Sequence, residues 1–223
     1  DAPDLIIMTA GALEMGPMLR ATHKAYIESN PSLMSSVGTA DAFDDRHRKL
    51  AGHKELAKYE ASLSRQLRRV GSATDTDLPF EALGIDALIA DEVHMYKNSH
   101  SVPRVYGESS PKFLGSGGES NRALDALHKF RYVRDQGGTT VGLTATFFGN
   151  SPLEIFNMLA LHTDVLDSYG IPDVGTFVAR FCVIEPRLIT DADGSVEYVP
   201  CVIGFRNLDE LRSILAQHVI RET

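Results

Sequence analysis

Four residues, Asp91-Glu92-Val93-His94, carry the densest chemistry in the sequence. Two adjacent carboxylates followed by an imidazole suit hydrolysis of a phosphoanhydride. The first can hold a divalent cation, usually through water, while the second orients or deprotonates the attacking water. The imidazole is then free to hydrogen-bond a neighbouring loop. Their setting supports this assignment: LGIDALIA is a compact apolar run from Ile85 to Ala90 that stops abruptly at the acidic pair. A central parallel strand behaves in this way when its C-terminal end meets an active site. A second candidate, Leu143-Thr144-Ala145-Thr146, closes a Thr/Val-rich run, GGTTVGLTAT, and is followed by Gly149-Asn150-Ser151-Pro152.

The elements around these residues alternate. SNRALDALHKFRYVRD places Ala123, Leu124, Leu127, Phe130 and Val133 on one helical face, and PLEIFNMLALHT reads as a helix with Pro152 in its first turn. Strand, helix, strand, helix predicts an α/β fold with a mainly parallel sheet. Upstream, DLIIMT (4–9) reads as a short buried strand, and a helical insertion is expected over about 19–75, interrupted by the loop NPSLMSSVGTAD. Leu56, Tyr59, Leu63, Leu67 and Val70 form an apolar stripe on its later part. Downstream, 172–223 is expected to hold the short helix PDVGTFVARF and a β-hairpin built from VIEPRLIT and SVEYVPCVI. The helix LDELRSILAQHVI follows, with capping-box spacing at Asn207-Leu-Asp-Glu210.

Length and composition bound the function. With 223 residues, 43% hydrophobic and 23% charged, the chain can bury a core and reads as one domain, 1–223. Cys182 and Cys201 are too few for a disulfide framework or a four-cysteine zinc site, and reduced packing roles are expected for both. The start of the sequence lacks a basic segment ahead of its apolar stretch, and no run approaches the length of a membrane span. A reducing, cytoplasmic setting is therefore expected. The net charge of −8 argues against nucleic acid until its distribution is considered. Residues 45–70 hold eight Lys/Arg against three Asp/Glu, and 97–134 hold seven against three. The two basic zones sit in a strongly acidic remainder. Arg65, Arg68 and Arg69 in the first zone, and Lys97 at the start of the second, are candidate phosphate contacts. The alternative is a solvated helix face. His23, His47, His53, His100, His128, His162 and His218 show no ligand spacing and are expected in ordinary surface or core roles.

The pair IADEVHMYKN and GLTATFFGNSPLEIFNMLALH, in this order and spacing, resembles the superfamily 2 helicase-like ATPases of the Swi/Snf branch. The chain most resembles the large phage- and plasmid-borne helicase proteins, some fused to methylases and associated with antirestriction. The resemblance implies part of a first RecA-like lobe with a DExH box at Asp91, Glu92 and His94, Asp91 serving a Mg²⁺ ion. Thr144, Ala145, Thr146 and Asn150 would couple ATP hydrolysis to lobe movement. DLIIMTAGAL looks like the strand-and-turn motif that touches the nucleic-acid backbone, making Thr9 a candidate contact. Double-stranded DNA is the implied partner.

That family binds phosphates with a Gly-x-x-x-x-Gly-Lys-Ser/Thr loop, and this sequence contains no Gly-Lys dipeptide. The expectation is therefore a piece of a larger motor, inactive alone, whose phosphate loop and second RecA-like lobe lie in other segments. Phe147 stands where the family has proline, and Val93 where it has alanine or glycine. Two rivals remain: a noncatalytic DNA-binding or docking scaffold derived from such a lobe, and an unrelated hydrolase using Asp91, Glu92 and His94 as metal ligands. Adjacent strand residues point to opposite faces, which disfavours the latter.

Overall fold

The computed structural model describes residues 5–30, 60–61, 63–68, 70–74, 77–100, 110–115, 120–147, 149, 151–190 and 194–220. Its centre is a β-α-β unit. Strand β1 (Ala87–Ala90) pairs in parallel with β2 (Thr139–Gly142), in the register Ala87 to Thr139 through Ala90 to Gly142. Helix α3 (Asn121–Asp135) connects them, capped by Ser120, whose hydroxyl accepts from the Ala123 amide. The face of α3 expected to be apolar is buried throughout: Ala123, Leu124, Leu127, Phe130 and Val133. Among the described residues this sheet has two strands. The reading of β1 as a central strand is not met among these residues, where Ile89 is 67% exposed and Val141, its register partner, is 40% exposed. One face packs on α3 while these side chains stand on the other.

The N-terminal segment differs more. DLIIMT was expected as a buried strand, yet residues 5–9 form no strand, and Leu5 and Ile7 are exposed at 74% and 87%. They run beside β1 across a groove of about 540 Å³ without joining the ladder. Regular structure begins one residue later, in α1 (Ala10–Met15), where the Thr9 hydroxyl accepts from the Ala12 amide as an N-cap. Helix α2 (Arg20–Glu28) follows, and residues 60–61 and 63–68 are again helical. Leu63, Leu67 and Val70 are buried as the stripe requires, while Leu56, Tyr59 and the loop from Asn30 onward lie largely outside the described residues.

Beyond β2 come α4 (Pro152–His162), with Pro152 in its first turn, the single turn α5 (Val165–Ser168), and α6 (Val174–Phe181), capped by the Asp173 carboxylate on the Thr176 amide. The hairpin forms as expected from β3 (Cys182–Thr190) and β4 (Val196–Phe205). Cys182 faces Phe205 and Cys201 faces Glu185, so the cysteines are not partners; both thiols are free and buried. Burial pushes the Cys182 thiol up to about 11. Helix α7 (Leu208–His218) is the last helix among the described residues. Its capping box does not form: Asn207 adopts a left-handed conformation (φ 52°), donates to the Arg180 carbonyl at 2.8 Å, and caps nothing. Glu210 is held by the Arg180 guanidinium instead, so both box residues serve the contact with α6.

Two apolar clusters organise the interior. One joins α1, α2, α3 and the turn after β1; the other joins α4, α6, α7 and the base of the hairpin. Phe147 and Ala160 pack against both. The phenylalanine at the position of the expected proline therefore does a packing job that a proline ring is too small to do. No helix among the described residues is long and apolar enough to cross a membrane.

Candidate functional site

The end of the parallel ladder brings the two sequence motifs together. The Leu143 amide donates to the Ala90 carbonyl at 2.8 Å, and the Val93 amide donates to the Leu143 carbonyl at 3.0 Å. The chain leaving β1 is thereby stitched to the chain leaving β2. Between these bonds Glu92 takes a left-handed conformation at φ 52°, a region a non-glycine residue occupies at a cost of about 1 kcal/mol or more. The sharp turn exposes Asp91 and Glu92 while Val93 drops into the core at 1% exposure. Val93 thus anchors the turn, a use for the bulk that alanine or glycine lacks.

Geometry around the turn is polar and converging. One Asp91 oxygen accepts from the Glu92 amide at 2.9 Å. His94 Nδ1 lies 3.1 Å from a Glu92 oxygen and 3.2 Å from Thr144 Oγ1. The Thr144 hydroxyl oxygen also accepts from the Thr146 amide at 3.1 Å, closing a small turn over Ala145. Asp91, Glu92, His94, Thr144, Ala145 and Thr146 therefore share one corner of the molecule. Asp91 is exposed at this corner. Among the described residues no three or more His, Cys, Asp or Glu side chains gather as a metal site. That gives no support to a hydrolase with Asp91, Glu92 and His94 as joint ligands.

The other expected residues lie elsewhere. Thr9 caps α1, and Arg65 and Arg68 are exposed on the helical segment 63–68. Arg69 and Asn150 lie outside the described residues. Lys97 is paired with Glu154 at 2.9 Å.

Glu154, Asn157 and Lys129 are buried polar groups that escaped sequence reasoning, while His23 and His128 take the core roles allowed for them. Glu154 (2% exposed) and Asn157 (1%) project from α4 toward Lys97, Ser99 and His100. His23 and His128 face each other through their Nδ1 atoms at 2.7 Å, both fully enclosed. Burial pulls the His23 imidazole down to about 4, and His128 well below its ordinary value. Lys129 is also buried, donating to the Leu13 carbonyl and to Asp125. The Asp125–Lys129 spacing on one helix face was the available signal. His162 sits under Gly142, edge-on to Phe130 at 5.1 Å between ring centroids, and burial lowers it to about 4.

The chain is similar to a phage protein. Defense against restriction protein B of Escherichia phage P1 is 32% identical over 182 residues, which make up 78% of this chain and 8% of that protein. The chain therefore spans about 8% of the length of the curated relative it matches. No family profile and no solved structure matches it.

Proposed function

We propose that this chain is part of a nucleic-acid-dependent ATPase of the superfamily 2 helicase or translocase class, Swi/Snf-like, within a RecA-like lobe. The observation that carries the reading is the contact of His94 with Thr144, which joins the acidic motif to the threonine motif at the ends of two paired parallel strands. Open α/β sheets bind ligands beyond the carboxyl ends of their strands. The relative's printed name, Defense against restriction protein B, supports an antirestriction setting for the larger protein.

In this reading Asp91 would hold the Mg²⁺ that accompanies ATP, and Glu92 would orient the attacking water or take its proton. The bound Mg²⁺ would neutralise charge developing on the phosphates. His94 senses the occupied site and passes its position to Thr144 through the 3.2 Å contact. Because Thr144 also fixes the Thr146 amide, a shift of His94 reshapes the whole turn, Ala145 included. Double-stranded DNA would be tracked through its phosphates by Arg65, Arg68 and their neighbours. The sequence has no Gly-Lys-Ser/Thr loop, so phosphate cradling and the second lobe fall to other segments. The isolated chain is expected to hydrolyse no ATP.

A chimera tests this: the aligned part of the phage P1 protein is replaced by this chain, and ATP turnover is measured with and without DNA. DNA-stimulated turnover is expected, lost on Glu92→Gln. Turnover that survives Glu92→Gln overturns the proposal. So does the absence of DNA-stimulated turnover in both the unmodified relative and a folded chimera, the outcome that the scaffold reading requires.

A further inference from the structure

The strongest unused feature is a buried polar network on α4, and it rests on the ATPase reading only for its consequence. Helix α4 is otherwise apolar, with Leu153, Ile155, Phe156, Met158, Leu159 and Leu161 buried. Within it Glu154 places one oxygen 2.9 Å from Lys97 Nζ, while the other accepts from the Gly149 amide at 2.7 Å. Asn157, one turn on, donates to the Lys97 carbonyl at 2.6 Å and accepts from His100 Nδ1 at 2.8 Å and from Ser99 at 3.3 Å. Lys97 is thus gripped at both ends, its carbonyl by Asn157 and its ammonium by Glu154. Gly149 belongs to the loop that leaves LTAT, and Lys97 to the chain that leaves DEVH.

A buried carboxylate costs several kcal/mol unless it is paired and hydrogen-bonded. Packing alone would favour leucine at this position. Ser151 makes no side-chain cap on α4, and Glu154 in the first turn takes over by reaching back to Gly149, a lengthened version of the capping box. The carboxylate also gains from the helix N-terminus.

We propose that Glu154, Asn157 and Lys97 are positioning residues that clamp the tail of the acidic motif to the loop after the threonine motif, so that the two move as one body. Lys97 is then a structural tie, not a phosphate contact.

The test uses the full chain and NMR, with Glu154→Ala, Glu154→Gln and Lys97→Met. Glu154→Ala is expected to speed exchange of the Gly149 amide by about tenfold or more. It also shifts the His94 imidazole and Thr144 amide signals, although Glu154 touches neither. Glu154→Gln keeps an acceptor and restores most of the Gly149 protection, whereas Lys97→Met moves the His94 signals. Unchanged signals from the β3–β4 hairpin report that each variant is folded, and if Glu154→Ala does not fold, the other two decide. His94 and Thr144 signals that stay put in every variant overturn the clamp. For Lys97, the slope of log DNA affinity against log salt is expected to be unchanged in Lys97→Met; a slope smaller by about one assigns Lys97 to a phosphate and overturns its place here. In the ATP-hydrolysing chimera, Glu154→Ala is expected to lower kcat at least tenfold and leave KM within twofold. A chimera without turnover sinks the ATPase reading, while the NMR result still decides the clamp.

Discussion

Gly142 is a residue whose replacement the structure constrains sharply. It ends β2 opposite Ala90, directly before LTAT, and its backbone is not in the left-handed region. Conformational freedom is therefore not the reason for glycine. The reason is space: a Cβ at this position would stand 2.3 Å from His162 Nε2, 2.6 Å from His162 Cε1 and 2.9 Å from Val93 Cγ1. Neither neighbour yields easily, because the His162 ring is stacked edge-on against Phe130 and Val93 is enclosed in the core. Overpacking of this kind costs about 1–3 kcal/mol, and with two blocked neighbours the upper half of that range is expected for Gly142→Ala. Urea denaturation at pH 7.5 measures it. The partner is identified by a double-mutant cycle with His162→Ala, which opens room for the methyl group. The double variant should then be more stable than the sum of the two single losses by about 1 kcal/mol or more. Gly149→Ala, whose Cβ would meet nothing closer than 3.7 Å, serves as the control and should shift stability by less than about 0.5 kcal/mol. A Gly142→Ala loss no larger than that of the control, or strict additivity with His162→Ala, would refute the steric argument.

Acid should destabilise the fold through its buried imidazoles. His23 and His162 are lowered by burial to about 4, below the ordinary value of 6.5, and His128 is lowered as well. The unfolded chain then binds more protons than the folded one between those values. Stability is full above pH 6.5 and is lost as pH falls toward 4, by roughly 3 kcal/mol for each fully depressed imidazole. Burial raises the Asp125 carboxyl, which acts in the opposite sense and blunts the lowest part of the curve. Urea midpoints that stay level from pH 7 to pH 4.5 would contradict this. At Asn207 the left-handed backbone and the bond to the Arg180 carbonyl act together. Asn207→Gly should lose only the bond, whereas Asn207→Ala adds strain of about 1 kcal/mol. Thermal melts in which the alanine variant equals or exceeds the glycine variant would show that the backbone is not strained there.

What was legible in the sequence follows from which forces are local. The buried face of α3 could be read because helical periodicity alone fixes which side chains share a side, and Leu124, Leu127 and Phe130 obey it. The acidic turn could be read because an apolar run that ends in two carboxylates has few alternatives. The hairpin could be read from two apolar runs around Asp191-Ala192-Asp193-Gly194, although residues 191–193 lie outside the described residues. Failures occurred where a partner decides. Residues 5–9 have the composition of a strand, but a strand exists only when its amides reach a neighbouring edge, and the groove between them and β1 keeps them from that edge. Asn207 and Glu210 have the spacing of a capping box, yet Arg180 from another helix competes for both.

The same distinction explains why the candidate site was half legible. Asp91, Glu92, His94 and Thr144 announce themselves by residue type and by the strands that precede them. Glu154 and Asn157 do not, because a glutamate in the first turn of a helix is ordinarily a solvent-facing favourable charge. Only the arrival of Lys97 and Gly149 from two separate loops turns that charge inward. A buried polar residue in an otherwise apolar helix is therefore informative about what must be held nearby. In this chain it points to the junction of the two motifs, whose relative position any coupling of hydrolysis to movement would have to control.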